Sequence, residues 1–254
     1  YGTGGVVNEN VSDETLKVVE VTPYRLESEY SDNRRPDSVI FSNKIEDDLK
    51  RRDFTINSIA LDVERGEGQG NIYKGHIIDP YKGQEDLKTK TIRTVGDPHS
   101  RFSEDGLRLL RAVRISSELG FTINTETEDS IKIHAPLLQN IAKERIKDEF
   151  VRVIMSDDPM IGVILCRKLG LLQFIIPELE KAISVEQNSA HSYDVWEHLL
   201  RTVKHAAVKG YSLEIRLAAI LHDISKPETR RWGKEQNQWT FYGHDVVGTR
   251  VAIK

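Results

Sequence analysis

Two runs hold most of the side chains able to do chemistry, Arg51-Arg52-Asp53-Phe54-Thr55-Ile56-Asn57 and Arg101-Phe102-Ser103-Glu104-Asp105-Gly106-Leu107-Arg108-Leu109-Leu110-Arg111-Ala112-Val113-Arg114. They place three carboxylates among six arginines. If the second run is one helix that starts at Ser103, the series Asp105, Arg108, Arg111, Arg114 forms a drifting stripe, with neighbours about 60° apart around the axis. A carboxylate beside a guanidinium offers an acceptor to the exocyclic amine and a donor to the ring acceptor of cytosine or adenine. Arg111, farther along, is placed for phosphate. The plain alternative is a helix surface laced with ion pairs worth roughly 0.2–0.5 kcal/mol each.

The first run sets Arg51 and Arg52 directly before the apolar Phe54 to Ala60. Two arginines at the rim of an α/β domain can hold a triphosphate, with Asp53 orienting one of them or meeting a ribose hydroxyl. They can equally be solvated charges that cap an element. A third cluster is His198, His222-Asp223 and His244. Two imidazoles and a carboxylate from neighbouring helices can converge on one divalent ion, whose bound water becomes a hydrolytic nucleophile. Histidines that cap or pack are the commoner use. His191 and His205 share a seven-residue spacing with His198. His205 falls roughly 10 Å up the axis, too far for a common ion, and both read as surface or packing residues.

The elements that must position these groups change character near Asp79-Pro80. Before it lie short β-prone runs, Gly5-Val6-Val7, Leu16 to Thr22, Ser38 to Phe41 and Ser58 to Val63, with Gly66 to Asn71 as a hairpin loop. After it the period is helical: Ser103 as N-cap through Gly120, then Glu126 to His134, Lys143 to Met155, Met160 to Leu169, Tyr193 to Lys209 and Ser212 to His222. The polar stretch Ser184 to Ser192 sets off the last unit.

The chain has 254 residues and a formal charge of −4, which excludes a grip on nucleic acid through overall basicity. Any such contact is local. Its one cysteine, Cys166, lies in an apolar run, so no disulfide framework exists and a buried thiol in a reducing, cytoplasmic setting is expected. No apolar stretch reaches the length of a membrane span, and the start lacks the basic-then-apolar order of a signal peptide. Trp196, Trp232 and Trp239 read as core or interface aromatics.

The run Lys50 to Ala60, the turn Asp79 to Leu87, the link Ile92 to Pro98 and the stretch Arg101 to Arg114 resemble the class II tRNA nucleotidyltransferases, the CCA-adding enzymes, and their bacterial poly(A) polymerase relatives. Glu20 to Arg25 and Tyr30 to Asp37 match the same family in order. Asp194 to His198, Leu217 to Lys226 and Tyr242 to Asp245 resemble HD-type metal phosphohydrolases, a domain found behind the head in some CCA-adding enzymes.

The resemblance implies an α+β fold. A partial nucleotidyltransferase palm with a mixed or antiparallel sheet would span residues 1–88, an all-α neck 89–183, and a partial helical HD domain 184–254. It implies transfer of CMP and AMP from CTP and ATP to a tRNA 3′ end by in-line attack with two Mg2+ ions. Arg51, Arg52, Asp53 and Asn57 would surround the nucleotide, and Glu104, Asp105 and Arg108 would select the base. Arg52, Arg111 and Arg114 would meet sugar and phosphates, and Glu20 would supply a third carboxylate. His198, His222, Asp223 and His244 would hold Mg2+ or a transition metal. Local patches at Lys143 to Lys147 and Arg230-Arg231 would guide the RNA. Two further readings are a poly(A) polymerase of the same family and an HD phosphohydrolase with a non-catalytic N-terminal part. The family's Asp-x-Asp pair occurs nowhere in these residues, so the expectation is a chain truncated at both ends that binds a nucleotide without adding one. No oligomeric state follows from the sequence.

Overall fold

The computed structural model describes residues 2–9, 11–27, 38–65, 73–188 and 192–253. Contacts divide the chain into two compact units, one of residues 1–89 and 93–105, the other of residues 90–92 and 106–254.

In the first unit the valine-rich runs form antiparallel ladders, as β-branched residues on a pleated surface favour. β1 (Gly4–Val7) pairs with β2 (Val18–Val21), Gly4 opposite Val21 and Val7 opposite Val18. β3 (Arg25–Glu27) pairs with β4 (Val39–Phe41), which leads into α1 (Ile45–Lys50). β5 (Ala60–Arg65) pairs with β6 (Tyr73–Ile78), Ala60 opposite Ile78. The expected loop between them lies outside the described residues. The palm sheet is thus represented, among the described residues, by three separate two-stranded ladders.

The core of this unit lies away from the ladders, whose Val6, Val7, Val18 and Val19 are exposed. It gathers where α1, the 3-10 turn Thr55–Asn57, α2 (Gly83–Lys88) and α3 (Pro98–Glu104) bury Leu49, Phe54, Val95 and Phe102. Gly83 begins α2 against this turn, and a Cβ there would stand 2.2 Å from the Thr55 carbonyl oxygen. Asp79 fixes the approach by accepting from the N–H groups of Gly83 and Gln84 at 2.7 and 2.9 Å.

The single helix expected from Ser103 is two helices. α3 starts at Pro98, behind Asp97 as its cap: Asp97 accepts from Ser100 N–H at 2.7 Å and Pro98 occupies the first turn. Ser103 is inside α3, its hydroxyl donating to the His99 carbonyl at 2.9 Å. Asp105 is extended, with φ −144° and ψ 108°, and α4 (Leu107–Leu119) begins after Gly106. Aspartate and glycine both disfavour a helix interior, so the stripe of arginines starts at Arg108 and Asp105 is not on its helix. Gly120, with φ 65°, closes α4 as expected.

In the second unit β7 (Thr91–Ile92) pairs in parallel with β8 (Thr122–Ile123), a small exception to an all-α neck. α5 (Thr125–His134), α6 (Lys143–Met155), α7 (Pro159–Lys168), α8 (Leu172–Ile175) and α9 (Pro177–Glu180) follow. Then come α10 (Val195–Val208), α11 (Leu213–Leu221), α12 (Lys226–Thr229), the antiparallel pair β9 (Arg231–Gly233) and β10 (Gln238–Thr240), and α13 (His244–Ile253).

That hairpin stands among the helices of the expected helical HD region. Trp232 and Trp239 stand opposite one another across it, edge to face at 5.1 Å, and Asn237 takes a positive φ in its turn. Trp196 is buried but Trp232 is half exposed, so only the former is a core residue.

α4 packs on α6 and α7, and α10 on α7 and α11, burying Leu109, Leu110, Val113, Phe150, Val153, Val163, Leu199 and Val203. Cys166 is fully enclosed among them, and burial pushes its thiol up to about 12. The thiol is a packing group, not a nucleophile. No helix among the described residues is long and apolar enough to cross a membrane.

Candidate functional site

The arginine pair of the first unit is held by a carboxylate that the sequence reading passed over. Asp48, on α1 and only 6% exposed, accepts from Arg51 Nε and Nη2 at 3.0 and 2.5 Å and from Arg52 Nε and Nη2 at 3.3 and 3.2 Å. Glu27 on β3 takes Arg51 Nη1 at 3.0 Å. Arg52 also donates to the Asn57 carbonyl at 3.0 Å. Asp53 is buried, and its Oδ1 accepts from Phe54 N–H and Asn57 Nδ2 at 2.9 and 3.1 Å. Asp53 and Asn57 therefore shape the turn that follows the arginines. The signal available in the sequence was the spacing of Asp48 three and four residues before Arg51 and Arg52, which puts all three on one helical face.

Beside this lattice is a cavity of about 150 Å3 lined by Leu26, Glu27, Asp47, Lys50, Arg51, Arg101 and Glu104. Arg101 is 9% exposed and joins three segments of the unit. Its Nε donates to the Val95 carbonyl at 3.1 Å, Nη2 to the Lys50 carbonyl at 3.0 Å, and Nη1 to Glu104 Oε2 at 2.8 Å. Glu104 and the part-buried Asp105 close this unit.

In the second unit α4 carries Arg108, Arg111 and Arg114. Arg108 and Arg111 are part-exposed. Arg111 Nη1 lies 3.8 Å from Glu149 Oε1 on α6. Arg114 is buried, with Nε 2.8 Å from Glu149 Oε2 in a close ion pair that lacks linear hydrogen-bond geometry, and Nη1 3.8 Å from Glu118. Glu149 thus serves both arginines and ties α4 to α6.

The histidine cluster also belongs to the second unit. His198 comes from the second turn of α10, His222 from the C-terminal end of α11, Asp223 follows it, and His244 opens α13. Asp194 caps α10 by accepting from Glu197 N–H at 2.7 Å, which sets the first turns of that helix. His198 Nε2 lies 3.0 Å from His222 Nε2, and the two stand 3.4 and 3.2 Å from the same oxygen, Asp223 Oδ2. His244 Nε2 is 3.5 Å from the other oxygen, Oδ1.

Two observations bear on whether these residues fit a metal ion. The Nδ1 atoms of His222 and His244 lie 3.0 and 2.7 Å from the carbonyls of Ala219 and Phe241. A carbonyl only accepts, so each Nδ1 carries its proton and each neutral ring presents the Nε2 lone pair. Two ring nitrogens 3.0 Å apart are at the distance of an N–H···N hydrogen bond or of two ligands to one metal ion. Metal–nitrogen bonds of about 2.0–2.1 Å set ligand atoms roughly 3.0–3.4 Å apart in octahedral or tetrahedral sites, so the donor set fits a divalent ion. Among the described residues this is the one group of three or more potential ligands gathered closely enough, and Glu20, exposed on β2, is in none.

Lys226 completes the cluster, with Nζ 2.7 Å from Asp223 Oδ2 and 2.7 Å from Gln187 Oε1. Burial by itself would raise the Asp223 carboxyl, but hydrogen bonds from His222 and Lys226 outweigh it and hold the group well below the usual carboxylate range. The same contact raises His222 above an ordinary imidazole, with burial opposing it. His205 is exposed on α10, and His191 lies outside the described residues.

Of the two basic patches, Lys143 and Lys147 border a cavity of about 410 Å3 with Phe150 and Phe174. Arg230 is turned inward over the Trp239 ring at 3.7 Å and toward Glu186 at 3.3 Å.

Three sequence-family models match in order along the chain: "Poly A polymerase head domain" over residues 4–93, "Probable RNA and SrmB- binding site of polymerase A" over 120–183, and "HD domain" over 195–254. The chain is 35% identical over 253 residues to a CCA-adding enzyme of Geobacillus thermodenitrificans, covering 100% of this chain and 56% of that protein. It is 48% identical over 134 residues to a CCA-adding enzyme of Lactobacillus helveticus, covering 53% of this chain and 31% of the relative. Among solved structures, a Bacillus stearothermophilus CCA-adding enzyme in complex with CTP is similar over 100% of this chain and 62% of its own, with 30% identity and a TM-score of 0.59. A tRNA nucleotidyltransferase complexed with a primer tRNA and an incoming ATP analog is similar over 72% of this chain and 50% of its own, with 27% identity and a TM-score of 0.54. The chain therefore spans from about a third to a little over half of the curated relatives it matches here.

Proposed function

Because this chain belongs to the family of CCA-adding enzymes and bacterial poly(A) polymerases, we propose that its protein is a tRNA nucleotidyltransferase that adds CMP and AMP, taken from CTP and ATP, to the tRNA 3′ end. The observation that carries this reading is similarity to a CCA-adding enzyme along the entire chain, at 35% identity over 253 residues. In this proposal the partners are tRNA, CTP and ATP, and the setting is cytoplasmic. Residues 1–88 act as part of the nucleotidyltransferase head, 89–183 as the neck and 184–254 as part of the HD domain.

Glu104, Asp105 and Arg108 select the base. Arg51, Arg52 and Arg111 meet sugar and phosphates, with Asp53 and Asn57 shaping the turn behind the arginines. Arg114, spent in its ion pair with Glu149, braces the helix that carries Arg111. Mg2+, if bound, would supply activation of the attacking hydroxyl and charge neutralisation on the triphosphate. Glu20 would add a third carboxylate in this scheme. The test is nucleotide incorporation by the whole protein into tRNA lacking its CCA end. CTP and ATP both accepted, in that order, supports CCA addition. Acceptance of ATP alone favours the poly(A) polymerase reading.

A second activity rests on the His198–His222–Asp223 cluster. These residues, with His244 at their edge, hold a divalent ion, Mg2+ or a transition metal, for phosphoester hydrolysis. Replacing His222 or Asp223 with Ala and following hydrolysis of a phosphomonoester or a 2′,3′-cyclic phosphate tests it, and unchanged hydrolysis removes it.

A further inference from the structure

Resting on the reading of the histidine cluster as a hydrolytic centre, we propose that Gln187 is a positioning residue for it: it holds the Lys226 ammonium at the wall of the adjoining cavity, where the ammonium receives the phosphate of a phosphomonoester. The argument starts from the burial of the lysine. Its side chain is 8% exposed, and its Nζ lies 2.7 Å from Asp223 Oδ2 and 2.7 Å from Gln187 Oε1. An ammonium has three N–H donors, so these two acceptors leave one for a further partner. A lysine kept only to neutralise Asp223 needs one acceptor and can run its head out to water. This one is turned inward and gripped twice.

The second grip comes from a segment that neither neighbouring family match includes, since those matches end at residue 183 and begin at residue 195. Gln187 Nε2 donates to the Tyr193 carbonyl at 3.1 Å, a partner that only accepts, so the amide oxygen is the end left for the lysine. Tyr193 directly precedes Asp194, the cap of the helix that carries His198. The amide thus registers Lys226 against α10. Two further contacts strap the same segment down, Lys181 to Glu228 at 3.1 Å and Glu186 to Arg230 at 3.3 Å. Both include an exposed partner, which water screens. Of the three contacts, Gln187 alone reaches a cation that is buried.

Lys226 lines a cavity of about 590 Å3 with Asn188, Trp239, Tyr242 and His244. His244 Nε2 is 3.5 Å from Asp223 Oδ1, so this cavity adjoins the metal-directed cluster. The other charged group on its wall, Asp245, is exposed in the first turn of α13, where solvent weakens its field. The buried ammonium is screened less and dominates locally. A phosphomonoester carries close to two negative charges above a second pKa of about 6, and a cyclic diester carries one. The fixed ammonium therefore favours the monoester.

The experiment uses the whole protein loaded with Mn2+ and compares Gln187→Met, Lys226→Met, the double variant and Lys181→Met. Calorimetry follows inorganic phosphate and Mn2+ binding, and steady-state kinetics follow p-nitrophenyl phosphate and 2′,3′-cyclic AMP. Gln187→Met is expected to weaken phosphate binding and raise KM for p-nitrophenyl phosphate by about fivefold or more, with kcat and Mn2+ affinity within about twofold of the parent. Its KM for the cyclic diester rises less. Lys226→Met loses about tenfold or more in phosphate affinity, and the double variant is no worse, because the amide acts through the lysine. Lys181→Met loosens the same strap and leaves phosphate affinity as it was. The proposal is overturned if Gln187→Met lowers the melting temperature while phosphate affinity and KM stay within about twofold of the parent. It is overturned too if Lys181→Met matches Gln187→Met, or if the cyclic diester loses as much as the monoester. If Lys226→Met fails to fold, Gln187→Met decides by the same readings. A parent that hydrolyses neither ester, but binds phosphate in a way that Gln187→Met weakens, refutes the hydrolytic reading and upholds the anion site. A parent that binds no phosphate overturns the proposal.

Discussion

Replacing Asp48 with Asn is the sharpest probe of how the arginine pair is held. The substitution keeps shape and removes one negative charge that is 6% exposed and receives four N–H groups from two guanidiniums. The two arginines do not count equally. The Arg51 side chain is 21% exposed and keeps Glu27 as a second partner, whereas that of Arg52 is 45% exposed and its charge is largely screened. A buried charge-assisted hydrogen bond is worth about 1.5–3 kcal/mol and an exposed ion pair under about 1 kcal/mol. The expected loss is then about 2–3 kcal/mol, most of it through Arg51. At roughly 2–4 °C per kcal/mol for a chain of this size, the melting temperature falls by about 5–10 °C.

Chemical denaturation of the parent, Asp48→Asn, Arg51→Met and the double variant gives the coupling directly. A value near 1.5–2 kcal/mol is expected for the Arg51 pair and below about 1 kcal/mol for the matching cycle with Arg52→Met. A stability change under about 0.5 kcal/mol, or stronger coupling to Arg52 than to Arg51, would refute the reasoning.

Three further outcomes follow from the same physical reading. Gly162→Ala sets a methyl group 2.4 Å from Val153 Cγ1 and 2.5 Å from Ser117 Oγ where α7 crosses α6 and α4, and should cost about 1–3 kcal/mol in denaturant unfolding. For Asp79, burial alone would raise the carboxyl, but the N–H groups of Gln84 and Gly83 and the Gln84 amide outweigh it and lower its folded value. The stabilisation is thus fully present above the unfolded value of about 3.9 and is lost as pH falls through the lower folded value. Asp79→Asn should therefore flatten the stability–pH curve below about pH 4, and an unchanged slope would remove the assignment. His222→Ala removes one of the three gathered ligands. It should weaken Mn2+ binding measured by calorimetry by about 10-fold or more, with His205→Ala as the exposed control that leaves binding unchanged.

How far the sequence spoke depended on the kind of signal. The helix Lys143–Met155 was readable to its ends because one amphipathic face runs its whole length. The break at Asp105-Gly106 was not, because an arginine spacing of three imitates one helix, and only the backbone shows Asp105 extended. Asp97-Pro98 was the available warning that a helix starts earlier. The histidine cluster was legible as residue types, and α10 and α11 bring His198 and His222 to 3.0 Å from one another. Lys226, which takes the same carboxylate oxygen, was hidden because nothing in a linear pattern marks a buried lysine. The Trp232–Trp239 hairpin was missed because its strands are three residues each, too short for a period to register.

The most direct test of the central claim is single-turnover extension of a tRNA lacking its CCA end by the whole protein, with CTP and ATP offered separately and then together. The account predicts C addition with CTP alone, and completion by A once ATP is present. Extension by a run of A with ATP alone, and no use of CTP, would contradict it.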